Sequence, residues 1–323
     1  MKPPYQITDK ILNLVVSISE KLGEVNANHL HKPPTELRKR NRIKTIQSSL
    51  EIEGNTLTEE QITALLNDER VIAPQKDILE VQNAIKVYEK LKEFNSNSLK
   101  DLRIAQSILM HGLIEGSGNF RTKNVGIVKG SKVEHLAPGG AMVNGLMKDL
   151  FTYLKSDKEV LLIKSCVFHY EFEFIHPFLD GNGRMGRLWQ TLILMQKYPV
   201  FEYLPVESLI KENQNHYYKA LGASDKLGES TPFVEFMLAL ILQALNNLLA
   251  SQNVNITAPD RIELFKDFIG LKSFSRKDYL LSYKLISQAT ASRDLKWAVD
   301  NQLLEKFGDK RNTKYKYKTN NNL

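Results

Sequence analysis

Two apolar segments, Leu161 to Ile175 (LLIKSCVFHYEFEFI) and Arg184 to about Lys197 (RMGRLWQTLILMQK), are separated only by His176 to Gly183 (HPFLDGNG). The first carries its apolar residues on a helical period and predicts a buried helix. Pro177 must end that helix, because the residue ahead of a proline is pushed out of the α region. Asp180-Gly181-Asn182-Gly183 then predicts a tight turn whose glycines tolerate positive φ and let backbone come close to a ligand. The second segment predicts another helix that starts at once. The centre of the chain is therefore helical and breaks at one glycine-rich corner.

Successive backbone N–H groups in such a turn, leading into a helix N-terminus, form a concave anion site with the helix dipole behind it. Arg184 and Arg187 are three apart, so both guanidiniums project from one face of the first helical turn, where their forks suit phosphate oxygens. Positive charge there opposes the dipole and is a local cost unless an anion compensates it. Asp180 offers the hard oxygen that Mg2+ takes when it also binds a polyphosphate. His176, one turn upstream, carries an imidazole, a general base that titrates close to neutrality. A metal-only alternative exists, since His169, Glu173 and His176 fall on one helix face at i, i+4 and i+7. Glu173 to His176 is the ExxH spacing of di-iron bundles, but those need a second such motif and the chain has none. His169 and Glu173 are expected to be buried polar residues bonded to neighbouring backbone.

The segment resembles the signature of Fic-domain proteins, HxFx(D/E)GNGRxxR, at every specified position: His176, Phe178, Asp180, Gly181, Asn182, Gly183, Arg184 and Arg187. Members of that family typically transfer AMP from ATP to a hydroxyl side chain of a target protein. The resemblance implies that His176 takes the proton of the target hydroxyl and that Phe178 anchors the loop. It further implies that Asp180 holds Mg2+, that Gly181 to Gly183 line an anion hole with Asn182 contacting phosphate, and that Arg184 and Arg187 bind the β- and γ-phosphates. Gly118-Asn119-Phe120-Arg121, with Val125 to Val128 and Val133 to Leu136 around Lys129-Gly130-Ser131-Lys132, resembles the family's hairpin flap. That flap, about residues 124–136, would align the target protein by strand addition. Asn215 to Leu221 resembles the helix whose tyrosines, here Tyr217 and Tyr218, border the adenine; both also suit core packing.

Upstream, Leu37 to Ile52 predicts a helix with Ile43, Ile46, Leu50 and either Gln47 or Ile52 inward, stopped by Gly54. Thr58 with Gln61 predicts the capping box of the next helix. Glu53 then lies at the negative end of a helix, where a carboxylate is disfavoured and calls for a cation. Ser49 to Gly54 matches (S/T)xxxE(G/N), which resembles the inhibitory motif that some Fic proteins carry ahead of the core. The resemblance implies an ion pair between Glu53 and Arg187 that blocks the place of the γ-phosphate.

With 323 residues, 42% hydrophobic and 25% charged, the chain is of ordinary globular composition with room for two or three domains. Its one cysteine, Cys166, excludes an internal disulfide framework, suits a reducing cytoplasm and reads as a small core hydrophobe. MKPPYQITDK lacks the apolar segment of a signal peptide, and Phe233 to Ala250 is interrupted by polar residues, so a core helix is expected and no membrane span. Leu79 to Phe94 predicts a helix that packs on the core. Asn246 to Pro259 reads as a linker. Beyond it, residues 259–323 hold 14 Lys plus Arg against 8 Asp plus Glu, six of the chain's net seven positive charges. Helices over 261–269, 275–283 and 288–301, followed by a strand pair turning around Gly308 to Asn312, resemble a winged helix-turn-helix. Thr290, Ser292, Arg293 and Lys296 lie on its would-be recognition helix, with basic residues alternating with Tyr315 and Tyr317 on the wing. DNA binding and self-association through 258–323 both stay open.

The expectation is a mainly α chain: an N-terminal helical region (1–95) with the inhibitory helix, a helical Fic core with a β-hairpin flap (96–250), and a winged-helix module (258–323). As function it implies a Mg-dependent protein adenylyltransferase held off by Glu53. The alternatives are a DNA-binding regulator that senses nucleotide, and a transferase using another phosphate-containing donor.

Overall fold

A computed structural model describes residues 2–27, 35–129, 132–156, 159–250, 257–283, 286–309 and 312–318, with the backbone alone for 127–129 and 132–136. The predicted turn residues Gly130 and Ser131, much of the linker, part of the wing turn and the Asn-rich end at 320–322 lie outside the described residues. Two compact units form, Met1–His31 with Arg38–Ala250 and Lys32–Leu37 with Ser251–Leu323. The helices ahead of residue 95 thus pack within the same unit as the core.

In the first unit the order is α1 (Asp9–Ala27), α2 (Thr35–Ile52, of which Arg38 onward belongs to this unit), α3 (Glu59–Leu66), α4 (Gln75–Glu89), α5 (Leu99–Leu109), β1 (Gly126–Lys129), β2 (Lys132–Leu136) and α6 (Val143–Leu154). There follow α7 (Leu161–Ile175), α8 (Asn182–Met195), α9 (Val206–Glu212), α10 (Gln214–Leu227) and α11 (Thr231–Ala250). Helix α7 is central, packed against α6, α8 and α11. It is buried around most of its circumference, from Leu162 through Tyr170, as an all-round apolar helix must be. Two of its buried polar residues bond backbone carbonyls, Ser165 Oγ that of Leu162 at 2.8 Å and Lys164 Nζ that of Leu154 at 3.1 Å. Helix α11, long and apolar enough to cross a membrane by composition, packs instead on α1, α7 and α10.

The N-terminal helices follow their local chemistry. Helix α2 buries Ile43, Ile46, Leu50 and Ile52, which settles the inner face on Ile52 rather than Gln47. It ends with Asn55 N on the Leu50 carbonyl and Gly54 N on the Glu51 carbonyl, with Gly54 at φ 94°. The Thr58 and Gln61 capping box forms at α3. Helix α4 begins at Gln75, a turn before the apolar stripe, and stops at Glu89. The strands β1 and β2 pair antiparallel, Gly126 opposite Leu136 and Lys129 opposite Lys132, with an irregularity between Ile127 and Val128.

The second unit holds α12 (Ala258–Ile269), α13 (Arg276–Ser282), α14 (Gln288–Asp300) and an antiparallel pair, β3 (Leu304–Phe307) with β4 (Lys314–Tyr317). Thr257, Ser275 and Ser287 cap the three helices. Ile262, Phe265, Phe274, Tyr279, Leu295, Leu304 and Tyr317 pack among its core residues. Phe274 pairs with Tyr315 as an isolated bridge. On β4, Lys314 and Lys316 are exposed while Tyr317 is buried and Tyr315 half-buried. The tyrosines therefore face the core, and the lysines alone carry the outer face of this strand.

Candidate active site

The corner after α7 is held in an uncommon backbone conformation. His176 closes the helix at φ 48° and ψ 61°, so the residue ahead of Pro177 leaves the α region for the left-handed one. Arg121, buried at 3% exposure, braces it. Its Nε donates to the His176 carbonyl at 2.6 Å, and Nη2 donates to the carbonyls of Ile175 at 3.0 Å and Pro138 at 2.7 Å. A guanidinium on the last carbonyls of a helix satisfies orphan acceptors and meets the negative end of the dipole. Burial lowers the Arg121 pKa from its ordinary value. In the sequence Arg121 stands out only as part of the flap pattern, and nothing in that pattern points to this capping role.

Beyond Pro177 the loop is fastened from inside. The Phe178 ring is fully buried, 5.2 Å from Phe120 and 6.2 Å from Phe172 between centroids. The Asn182 carboxamide accepts from Phe178 N and donates to its carbonyl, both at 2.9 Å. The Asn182 side chain thus shapes the loop, which leaves its backbone N–H for the phosphate contact expected of this residue. Gly181 takes φ 81°, and a Cβ there would lie 2.7 Å from Met110 Sδ. Helix α8 starts at Asn182, two residues before the expected Arg184, with no side-chain cap, so its first N–H groups lack intrahelical acceptors.

Arg184 and Arg187 are both buried, at 4% and 2% exposure, and each meets carboxylate. Arg187 Nη2 lies 2.7 Å from Glu53 Oε1, the pair expected from the sequence, and the same nitrogen donates to the Ser49 carbonyl at 2.9 Å. Its Nε donates to Ser49 Oγ at 3.1 Å. Burial alone would favour a neutral guanidinium; the Glu53 carboxylate, with smaller contributions from Tyr217 and Glu173, outweighs it and raises the Arg187 pKa. Glu53 also covers the start of α8, for a Cβ on Gly183 would come within 2.5 Å of its Oε1. Arg184 meets Asp180 Oδ1 at 3.3 Å and Glu80 Oε1, from α4, at 3.2 Å. Glu80 was missed in the sequence, where it flanks an apolar stripe like any solvated glutamate. The Asp180 side chain is half exposed at the mouth of the site.

The residues around this centre are mostly core. Tyr217 is buried, its hydroxyl 3.1 Å from His169 Nε2, so of the two tyrosines Tyr218 alone is partly open to solvent. His169 is fully buried with Nδ1 2.7 Å from Gln190 Oε1. Its partners are thus side chains of α8 and α10, not the neighbouring backbone that was expected. Burial pushes its pKa down to about 3, despite the Gln190 bond, and the ring stays neutral. Burial also pushes the Cys166 thiol up to about 12, which makes it inert as a nucleophile. Among the described residues no group of three or more His, Cys, Asp or Glu is placed to hold a metal ion.

Residues 96–194 match the model of the Fic/DOC family. A crystal structure of a Fic family protein from Desulfovibrio desulfuricans G20 is 38% identical, covers all of both chains and superposes with a TM-score of 0.76. The protein adenylyltransferase Fic of Aedes aegypti is 33% identical over 251 residues, 70% of this chain and 47% of that protein. That of Nematostella vectensis is 27% identical over 262 residues, 77% of this chain and 58% of that protein. The chain spans about half the length of these curated relatives. A fragment of Fic-1 from C. elegans, 21% identical with a TM-score of 0.63 over 75% of this chain and 72% of that one, shares the fold.

Proposed function

Because the chain belongs to the Fic family, we propose that it is a protein adenylyltransferase, moving AMP from ATP to a hydroxyl side chain of a target protein and held off by Glu53. What supports this reading most is one arrangement. A histidine in the left-handed corner of α7 precedes the uncapped start of α8, whose two buried arginines are paired with carboxylates.

In the reaction, His176 takes the proton of the target hydroxyl while its oxygen attacks the α-phosphorus. The bond from that phosphorus to the bridging oxygen breaks, and pyrophosphate leaves toward Arg184 and Arg187. Transfer of this kind is mostly positioning and charge stabilisation, which the N–H groups of Asn182 and Gly183 and the two guanidiniums supply. Asp180, a half-exposed carboxylate beside the triphosphate's place, fits Mg2+, which would neutralise phosphate charge when bound. Glu53 puts a carboxylate where the γ-phosphate would need Arg187, and it would have to move before ATP binds in the reactive pose. The β1 and β2 hairpin is the proposed dock for the target segment. The second unit, with three capped helices and an antiparallel pair, supports a winged-helix reading, and its basic surface supports contact with DNA.

Purified wild type, Glu53→Gly and Glu53→Gly/His176→Ala proteins with ATP labelled on the α-phosphate test the proposal. Label should appear with the single variant and vanish with the double. Label that persists without the imidazole would contradict the mechanism.

A further inference from the structure

Glu80 stands outside both signature segments, yet its carboxylate is buried at the centre of the site. Arg184, the proposed β-phosphate ligand, donates Nη1 to Glu80 Oε1 and Nη2 to Asp180 Oδ1. Its Nε is buried and meets no acceptor among the described residues. The two carboxylates differ in freedom: the Asp180 side chain is 52% exposed and the Glu80 side chain 8%. Asp180 Oδ1 also accepts from Gly181 N, but the side chain reaches solvent and can turn toward a cation there. Glu80 cannot, because its second oxygen accepts from Asn55 Nδ2 at 2.9 Å.

Asn55 is itself fixed. It is 6% exposed, its Nδ2 also donates to the Asp77 carbonyl at 3.1 Å, and its backbone N bonds the Leu50 carbonyl. It therefore belongs to the same closing turn of α2 that carries Glu53. A buried guanidinium left without a counter-charge is costly. Glu80 supplies that charge whether or not nucleotide is present, and it engages only one Nη, leaving the Nη2 and Nε edge for an incoming anion.

Resting on the function proposed above, we infer that Glu80 is a positioning residue. It holds Arg184 by one edge for the β-phosphate of a nucleoside di- or triphosphate, and Asn55 ties it to the turn that carries Glu53. The closing turn of α2 thus reaches both arginines, Arg187 directly and Arg184 through Asn55 and Glu80.

Calorimetric binding of ATP, ADP and AMP, with magnesium, to the full chain carrying Glu53→Gly tests this, alone and with Glu80→Gln or Asn55→Ala added. Arg184 serves only nucleotides that have a β-phosphate. Each added substitution should therefore weaken ATP and ADP by about tenfold, the scale of one charge-assisted hydrogen bond, and leave AMP unchanged. A general loosening of the fold would weaken AMP too. Unchanged ATP affinity in both added variants, or AMP weakened as much as ATP in both, would overturn the inference alone. A Glu53→Gly parent that binds no ATP would overturn the function and the inference together.

Discussion

Arg187 and Glu53 meet at 2.7 Å, and Ser49, one helical turn before Glu53, takes the Nε and a share of Nη2 of the same guanidinium. The arginine is thus clamped by a charge and by a neutral hydroxyl and carbonyl at once. Glu53→Gln keeps a hydrogen-bond acceptor and removes the charge. Labelling by ATP should rise above wild type but stay below Glu53→Gly; equality with wild type would show that charge is not what restrains Arg187. Ser49→Ala leaves a buried Nε without its partner and should lower unfolding stability by about 1–3 kcal/mol in urea titrations.

Asn182 and His176 should separate folding from chemistry. The Asn182 carboxamide makes two bonds to one backbone unit, so Asn182→Ala should cost about 1–3 kcal/mol of stability as well as labelling activity. His176→Ala, at a half-buried corner braced through its carbonyl, should lose labelling with the melting temperature close to the parent's. Melting curves beside labelling assays check the pair. An Asn182→Ala protein as stable as the parent would mean that its carboxamide does not hold the loop.

Glu207, at the start of α9, should make the fold less stable in base. Burial raises its pKa to about 7, against the opposing pull of Arg187 and a bond from its own backbone N–H. The folded chain keeps a proton that the unfolded chain gives up from about pH 4.5. This group's contribution is therefore intact below that value, declines as pH rises toward 7 and levels off above it. Glu207→Gln should remove that slope and raise stability above pH 7 by about 3 kcal/mol. Urea unfolding at pH 5 and pH 8 reads the difference; parallel changes in parent and variant would refute it.

The second unit offers a test that does not involve labelling. Arg293 and Lys296 on α14, and Lys314 and Lys316 on β4, are exposed. If this unit binds duplex DNA, Arg293→Glu/Lys296→Glu should weaken binding and flatten its dependence on salt, by about one unit of log–log slope for each phosphate no longer neutralised. Fluorescence anisotropy across a salt series measures this. A parent with no salt-dependent binding would remove the DNA reading of this unit.

The corner between α7 and α8 was legible because its causes are local. A proline, a left-handed glycine and the loss of helical hydrogen bonds act within about four residues, and the sequence prints those neighbours side by side. The same holds for Gly54 and for the Thr58 box. Resemblance to a known signature extended this to the pairing of Glu53 with Arg187, which spacing alone would not have matched. The inward turn of Tyr315 and Tyr317 was missed because alternation marks two faces without saying which is buried.

What the linear chain decided by itself is where it bends and which short segments are helical, since those outcomes rest on backbone sterics and hydrogen bonds between near neighbours. Tertiary packing decided which carboxylate serves which arginine. Glu80 reaches Arg184 across 104 positions, and Asn182 turned its amide to the loop and Tyr217 its hydroxyl to His169. A buried charge or amide takes whatever partner the assembled core brings within reach, because leaving it unpaired away from water costs more than the choice among partners.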